Sequence, residues 1–223
     1  FAPFLFQNGN PIIEGDQAVF NQENGAAAIQ YWRDLQQAGA AATYQDIGTG
    51  WCGEAFARQN AAMVVEGGWL VPFMADPQQG GTEVQYTAVP LPQPEGGQNQ
   101  TILFTNAFAA NGATQFPQAA AAAVLFLTSE QNQRELIQTG LAQPSLQGLS
   151  DDPYYSGNEV ASTLVEAGAN GQVAETVFGG PVRQADVIRT INQSGIEQIF
   201  IGGADVQSAL DQAAQEVNSL LTQ

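Results

Sequence analysis

Residues 54–70 read EAFARQNAAMVVEGGWL and carry the strongest structural signal in the chain. An apolar run from 61 to 65 lies between turn-forming residues, which is typical of an inner strand of an α/β sheet. The adjacent Gly67 and Gly68 then end this strand, and a helix is expected to begin at Trp69. Because α/β proteins bind ligands at the carboxyl ends of their strands, this pattern predicts that Trp69 lies at a ligand-binding edge.

The same stretch contains the pattern A-F-x-x-x-x-A-A-M-x-x-x-G-x-W. This pattern resembles that of the maltose-binding-protein-like extracellular solute-binding proteins of ABC importers. In that family the tryptophan of the Gly-x-Trp turn stacks on a sugar ring. The resemblance therefore implies that Trp69 binds ligand and that Gly67 and Gly68 form the turn that presents it.

Four further stretches resemble the same family, in the same order along the chain. They are residues 4–21, the YTAVPLPQPEGG run at 86–97, residues 117–131 and residues 206–220. The resemblance covers only the carboxyl half of such proteins, and Phe1 falls where a family member would already be well into its second lobe.

The fold implied by this resemblance is α/β: the carboxyl-terminal part of a two-lobed periplasmic-binding-protein (type II) fold. Residues 1–103 would form the first part of the carboxyl-terminal lobe. Residues 104–146 would contain the hinge crossings and part of the amino-terminal lobe, and residues 147–223 would form the helical remainder of the carboxyl-terminal lobe.

Several elements follow from local sequence patterns. Strands are predicted at 84–91 and 101–110, both of which are rich in apolar residues. Thr128 and Gln131 have the spacing of a capping box before a helix that ends at Gly140. A last helix is expected after Asp205, because apolar residues there recur at intervals of three and four.

The charge of the chain limits its possible partners. There are five arginines, no lysine and no histidine against 22 acidic residues, which gives a net charge of −17. Such a chain is unsuited to binding phosphate backbones or anionic lipid. No apolar run approaches the roughly 20 residues of a membrane-spanning helix, so direct membrane insertion by this segment is not expected.

The absence of histidine and lysine also restricts catalysis. Ser-His-Asp and Cys-His systems, lysine Schiff bases and P-loops all need one of these residues. Carboxylate chemistry is left, yet the one adjacent acidic pair, Asp151-Asp152, has the sequence context of a solvated turn more than that of a catalytic or calcium site. The resemblance to solute-binding proteins implies no catalysis, so we expect no enzymatic activity, no cofactor and no metal site.

Other candidate ligand-binding residues come from the resemblance. Phe104, Thr105 and Asn106 occupy the place where many family members have a Gly-Gly-Ser-type turn that touches the sugar. This departure from the pattern suggests a narrower or more apolar site. Trp51 is compatible both with the lining of a cleft and with the core of a lobe.

A late loop supplies two more candidates. Phe178 begins a Phe-Gly-Gly-Pro run that resembles the loop bringing an aromatic ring to the cleft in some family members. Arg183 follows this run. Arg183 is a candidate ligand contact. Because acidic residues lie near it in the sequence, however, an ion pair with Glu175 or Asp186 is the favoured prediction.

The function implied is capture of a neutral solute, a mono- or oligosaccharide, in an interlobe cleft for delivery to an ABC permease. The expected partners are this small-molecule sugar and the transmembrane subunits of the permease, with no nucleic acid. The protein would be periplasmic or extracellular, and a lipid anchor would belong to an amino-terminal region missing from this sequence. The alternatives are a carbohydrate-active enzyme that uses two carboxylates and a non-catalytic peptide-binding surface protein.

Overall fold

The computed structural model describes residues 1–82 and 84–222. The chain divides into two compact units, which are described separately. Unit one comprises Phe1–Asp46, Leu91–Thr105 and Ala167–Gln223, and unit two comprises Ile47–Pro90 and Asn106–Glu166. The predicted division into segments 1–103, 104–146 and 147–223 stays a prediction. Gln223, the last residue of the third segment, lies outside the described residues.

The described residues are mainly helical. The helices in chain order are α1 (Ala2–Gln7), α2 (Glu23–Gln37), α3 (Tyr44–Ile47), α4 (Cys52–Ala57), α5 (Leu70–Ala75), α6 (Pro117–Leu127), α7 (Glu130–Thr139), α8 (Pro153–Ser156), α9 (Glu159–Gly168), α10 (Ala174–Val177), α11 (Gln184–Thr190), α12 (Glu197–Phe200) and α13 (Val206–Leu221). A 3₁₀ turn spans Pro77–Gln79, and a π-helical segment, Ile191–Ile196, joins α11 to α12. Within the described residues, no helix combines the length and apolar character needed to cross a membrane.

Two small sheets complete unit one. Strands β1 (Ile13–Glu14) and β2 (Gln17–Ala18) pair in antiparallel register. Strands β3 (Thr101–Leu103) and β4 (Gly171–Val173) pair in parallel, with Thr101 opposite Gly171 and Leu103 opposite Val173. Because β3 and β4 are parallel, their carboxyl ends lie at the same edge of the sheet.

Helix α13 supplies much of the core of unit one. Its residues Val206, Leu210, Ala213 and Val217 are buried, as the apolar spacing predicts. The Asp205 side chain accepts a hydrogen bond from the Ser208 N–H at 2.9 Å and so caps the helix. The predicted last helix is therefore confirmed. Around α13 the core is completed by residues of α1, α2 and the π-helical segment, by residues that flank the first hairpin and by the residue that follows α10. Among them are Leu5, Ile12, Phe20, Ile29, Phe178 and Ile191.

Unit two has smaller apolar clusters. One contains Ile137, Leu149, Tyr155 and Ala161. Another contains Ala57, Leu70 and Met74, with Trp51, Phe56, Phe73 and Tyr86 packed at its edge. Less apolar surface is thus buried in any one place than in the continuous core of unit one.

The buried strand predicted at 61–65 is wrong. These residues are irregular, and the Met63 side chain is 87% exposed. Residues 84–91 are irregular as well, and the strand predicted at 101–110 ends at Leu103. A strand needs a hydrogen-bonded neighbour, and β3 ends where its partner β4 ends.

The helix boundaries around 128–140 were predicted in part. The capping box is wrong, because the Thr128 hydroxyl donates to the Val124 carbonyl at 2.9 Å and Ser129 is the residue that precedes α7. Gly140 does end the helix, with a φ of +70° in the left-handed region that glycine adopts most easily.

Asn10 links three parts of unit one and provides a test of its stability. This buried side chain donates to the Val19 carbonyl at 3.0 Å and to the Pro11 carbonyl at 2.7 Å, and it accepts from the Gly25 N–H at 3.1 Å. Asn10→Ala removes the partner of the Gly25 N–H and of the Pro11 carbonyl, whereas the Val19 carbonyl keeps the Gln22 N–H at 3.1 Å. Because a buried N–H is left unpaired, we expect the free energy of unfolding to fall by about 2–3 kcal/mol. Urea denaturation measures this loss. Asn99→Ala, at an exposed position, is the control, and an equal loss in both variants would contradict the role of Asn10.

Candidate functional site

Trp69 lies immediately before α5, as predicted, and its side chain is 45% exposed. The indole Nε1–H donates to Glu66 Oε2 at 2.8 Å. The same carboxylate oxygen accepts from the Gly67 N–H at 3.3 Å. Glu66 thus holds both the ring of Trp69 and the backbone of the turn that carries it.

Gly67 is needed because the Trp69 ring packs against it. A Cβ atom added at Gly67 would lie 2.4 Å from ring atoms Cη2 and Cζ3 of Trp69, which is closer than real Cβ contacts come. At Gly68 the nearest neighbour of an added Cβ is the Leu164 Cδ1, at an ordinary contact distance of 3.5 Å. The two glycines therefore differ: the first seats the indole, and the second does not touch it.

Trp51 makes a similar contact at the start of α4. A Cβ at Gly53 would lie 2.2 Å from two atoms of the Trp51 ring. The ring also packs edge-to-face on Phe73, with centroids 4.8 Å apart, at the margin of the cluster that contains Leu70 and Met74. Of the two alternatives for Trp51, the contacts within unit two favour a place at the edge of its core.

A second group of candidates lies at the carboxyl ends of β3 and β4 in unit one. Phe104 follows β3 and is half-exposed. The Thr105 hydroxyl donates to Glu175 Oε1, and Glu175 lies in α10 directly after β4. This hydrogen bond lowers the pKa of the Glu175 carboxyl below its usual value of 4.5. Asn106 is exposed and belongs to the other unit.

Glu175 also has an unused acceptor. Its Oε2 atom is buried and has no hydrogen-bond partner among the described residues. Its backbone carbonyl accepts from the Gly180 N–H at 2.7 Å, which ties α10 to the following turn.

Phe178 is placed differently from the expectation. Its side chain is 1% exposed and packs edge-to-face on Phe1, with centroids 6.3 Å apart. The structure therefore puts this ring in the core of unit one instead of at a surface that a ligand could reach. Gly179 and Gly180 follow with φ of +83° and +92°, so the backbone reverses immediately after the buried ring.

Arg183 lines a shallow cavity of about 370 Å³ together with residues 179–182. The predicted ion pair with Glu175 or Asp186 is wrong for the described residues, where no carboxylate lies within 4.0 Å of its guanidinium. Asp186 pairs with Arg189 instead, and Glu175 accepts from Thr105. A half-buried arginine beside open space offers hydrogen-bond donors to a ligand.

The Asp151-Asp152 pair is only partly a solvated turn. Asp151 is exposed, whereas the Asp152 side chain is 8% exposed and accepts from Arg134 at 3.0 Å. Asp152 also caps α8 by accepting from the Tyr154 N–H at 3.1 Å. Its role is therefore structural. In the described part of the chain, no group of three or more Cys, His, Asp or Glu side chains is arranged to hold a metal ion.

Sequence reasoning missed Glu66 and Glu175 as parts of these surfaces. Glu66 had a usable signal, because it precedes Trp69 by three residues and a glutamate there can reach the indole N–H. Glu175 had none, since its position depends on the pairing of β3 with β4, which are separated by about 70 residues.

The chain matches the family described as bacterial extracellular solute-binding protein over residues 1–172. The chain belongs to this family. The match covers most of the sequence, including the Trp69 turn, the residues that follow β3 and the first two residues of β4.

Among known relatives of this solute-binding protein is the galactooligosaccharide-binding protein of Bacillus subtilis (strain 168). It is 24% identical over 164 residues, which cover 72% of this chain and 36% of that protein. The cyclic alpha-maltosyl-1,6-maltose binding protein of Arthrobacter globiformis has a similar structure, with a TM-score of 0.67, 24% identity and coverage of 98% of this chain and 54% of that chain.

UgpB of Mycobacterium tuberculosis, solved in complex with glycerophosphocholine, has a TM-score of 0.73 at 16% identity. It is matched over 99% of this chain and 54% of its own. This solute-binding protein therefore spans about half the length of these solved relatives and shares the fold of the matched part. This structural similarity confirms the predicted α/β periplasmic-binding-protein fold.

The contact between Gly67 and Trp69 can be tested with paired alanine variants. Gly67→Ala introduces a Cβ where the indole lies and should displace the ring from Glu66, whereas Gly68→Ala meets only an ordinary contact. We expect a changed near-ultraviolet circular dichroism spectrum and a shifted tryptophan emission for Gly67→Ala alone. Equal spectra for the two variants would contradict the packing of the Trp69 ring against Gly67.

The hydrogen bond from Thr105 to Glu175 predicts a pH-dependent contribution to stability. A lowered carboxyl pKa in the folded state means stabilisation above the usual pKa of 4.5, which is lost as the pH falls through the folded value. Thr105→Val should therefore destabilise the protein more at neutral pH than well below pH 4.5. Thermal unfolding across this range measures the difference. In a Glu175→Gln background, the effect of Thr105→Val on stability should no longer depend on pH. If the pH dependence persists, it arises from a titratable group other than Glu175.

Proposed function

We propose that this protein captures a neutral solute, a mono- or oligosaccharide, for delivery to an ABC permease. The observation that carries the proposal is the half-exposed Trp69 ring, which Glu66 and Gly67 hold in one orientation. A fixed aromatic face suits the apolar face of a sugar ring, because little conformational entropy is lost when the ligand stacks on it.

The relatives support this class of ligand. One is named for galactooligosaccharides and another for a cyclic maltosyl-maltose, whereas the UgpB complex holds glycerophosphocholine. We favour a neutral sugar for this chain because its net charge of −17 disfavours the approach of anions. Exposed carboxylates and amides are suitable partners for sugar hydroxyls.

We propose separate roles for the remaining candidates. Phe104, Thr105, Asn106 and Arg183 would contact ligand, with Arg183 donating from the wall of its cavity. Trp51 would support α5 and thereby the turn formed by Gly67 and Gly68. Phe178, buried beneath the Gly179-Gly180 turn, would position that turn and would not touch the ligand.

The family description supports a proposal for the partners and the location. Its members are described as extracellular solute-binding proteins. We propose that this protein works outside the cytoplasmic membrane, in the periplasm or at the cell surface, and hands its ligand to the transmembrane subunits of a permease. A lipid anchor stays part of this proposal.

Binding can be separated from the enzymatic and peptide-binding alternatives by one experiment. The chain is titrated with galacto- and malto-oligosaccharides while tryptophan fluorescence is recorded, and the sugars are then analysed after prolonged incubation. A saccharide-dependent signal with recovery of intact sugar supports solute binding. Cleaved sugar indicates a carbohydrate-active enzyme, and a signal with peptides but not with saccharides indicates a peptide-binding protein.

The role of Trp69 predicts a loss of affinity in Trp69→Ala. Stacking on a pyranose removes ~60–80 Å² of apolar surface from water, worth about 1.5–2 kcal/mol. We therefore expect the Kd for the best saccharide to rise at least about 10-fold, with little change in melting temperature. Calorimetry measures both, with Met63→Ala in the same exposed segment as the control. If the affinity is unchanged, or if Trp69→Ala unfolds, Trp69 has a structural role and does not bind the ligand.

A further inference from the structure

The hydrogen of the Thr105 hydroxyl has a fixed direction. It is donated to Glu175 Oε1, and both residues belong to unit one although 70 positions separate them in the sequence. A threonine hydroxyl has one hydrogen to donate and two lone pairs that accept. Because its hydrogen is committed to Glu175, the Thr105 Oγ1 atom can only accept any further hydrogen bond.

Glu175 is held in place by the backbone around it. Helix α10 follows β4 directly, and the Glu175 carbonyl accepts from the Gly180 N–H at 2.7 Å. The second carboxylate oxygen, Oε2, is buried and has no hydrogen-bond partner among the described residues. The Thr105 hydroxyl therefore donates to a carboxylate that is otherwise poorly satisfied. A hydrogen bond to a charged acceptor is about twice as strong as one between neutral groups.

The surroundings of Glu175 contain few other titratable groups. Glu175 is the one titratable residue from Gly171 to Val182, and the sequence from Gly96 to Ser129 contains none. Helix α1, which packs on β3, has no titratable side chain. Arg183 has no carboxylate within 4.0 Å among the described residues. The side chains that approach the turn after α10 from β1 and α13 are apolar: Ile13 and Leu221.

The Glu175 carboxyl is therefore ionised at neutral pH. The hydrogen bond from Thr105 is the largest influence on its pKa, which lies below the usual value of 4.5. An ionised carboxylate accepts hydrogen bonds and donates none. At neutral pH the direction of the Thr105 hydrogen is thus determined by Glu175.

Protonation of Glu175 reverses this hydrogen bond. A proton on Oε2 would be a buried donor without a partner, which is unfavourable. A proton on Oε1 is instead donated to Thr105 Oγ1, and the Thr105 hydrogen is then released. Thr105 consequently offers only an acceptor when Glu175 is ionised and gains a free donor when Glu175 is protonated.

We propose that Glu175 is a positioning residue that decides which hydrogen-bonding group of the solute Thr105 recognises. This role rests on the function proposed above, in which Thr105 contacts the saccharide. With Glu175 ionised, Thr105 accepts from a free sugar hydroxyl and offers nothing to an ether oxygen, a carbonyl or an anion. A site that pairs with a substrate hydroxyl rejects an analogue without it, because the protein group is left unpaired.

Saccharides in which fluorine replaces one hydroxyl test this role, because fluorine is similar in size to a hydroxyl and cannot donate. Maltotriose and galactobiose are compared by calorimetry with their singly fluorinated derivatives at neutral pH. At the hydroxyl that meets Thr105, we expect fluorination to raise the Kd of the wild type at least about 10-fold. We expect this ratio of Kd values to fall below about 3-fold in Thr105→Val and in Glu175→Gln.

Glu175→Gln mimics the protonated carboxyl. Its amide should point the NH₂ group toward Thr105, because the opposite orientation would bury two N–H donors without partners. The ratio in the wild type should fall as the pH drops through the folded pKa of Glu175, whereas in Glu175→Gln it should be low at every pH. Glu197→Gln, which removes an exposed carboxylate of α12 in the same unit, is the matched control and should behave as the wild type.

The outcomes separate this role from the function on which it rests. Absence of saccharide binding by the wild type contradicts the proposed function itself. Saccharide binding that is weakened in Trp69→Ala, with equal ratios in the wild type and Glu175→Gln, overturns the role of Glu175 alone. An unchanged ratio in Thr105→Val overturns it too, because Thr105 then does not meet the solute. If Glu175→Gln does not fold, the wild type decides, and a ratio independent of pH overturns the proposal.

Discussion

The packing of the Phe178 ring in the core of unit one is the interaction on which the residues at the carboxyl ends of β3 and β4 depend. The ring packs on Phe1 within the core that α13 completes, and the backbone then turns back at Gly179. A Cβ at Gly179 would already approach Leu221 of α13 at 3.1 Å, so this turn is tightly seated. Because the turn is tied to Glu175 by a backbone hydrogen bond, the buried ring also determines where the residues beyond β3 and β4 find their partners.

Helices and their ends were the predictable part of the fold. The buried stripe of α13 and the glycine that ends α7 depend on local spacing and backbone conformation, which the sequence contains. The strands were not predictable in the same way, because a strand at 61–65 needs a neighbour and the sequence does not say whether one exists. The Trp69 turn followed from local pattern, whereas the inward orientation of Phe178 depends on packing against residues far away along the chain.

Helix α6 shows the opposite relation between sequence and structure. Its alanines and Pro117 make it a strong local helix, so its secondary structure was predictable. Its burial depends on a partner surface and not on the residues of the helix alone. An apolar composition therefore specifies what a helix requires, and the rest of the assembly decides whether that requirement is met.

The contact between Gly67 and the Trp69 ring has a consequence for how this surface can diverge in evolution. A larger residue at 67 is compatible only with a smaller or differently oriented side chain at 69, so the two positions are energetically coupled. The coupling acts in one order: the indole can be lost while Gly67 is kept, whereas a larger residue at 67 is compatible only after the indole has gone. Descendants of this chain should therefore retain glycine at 67 for as long as they retain the indole.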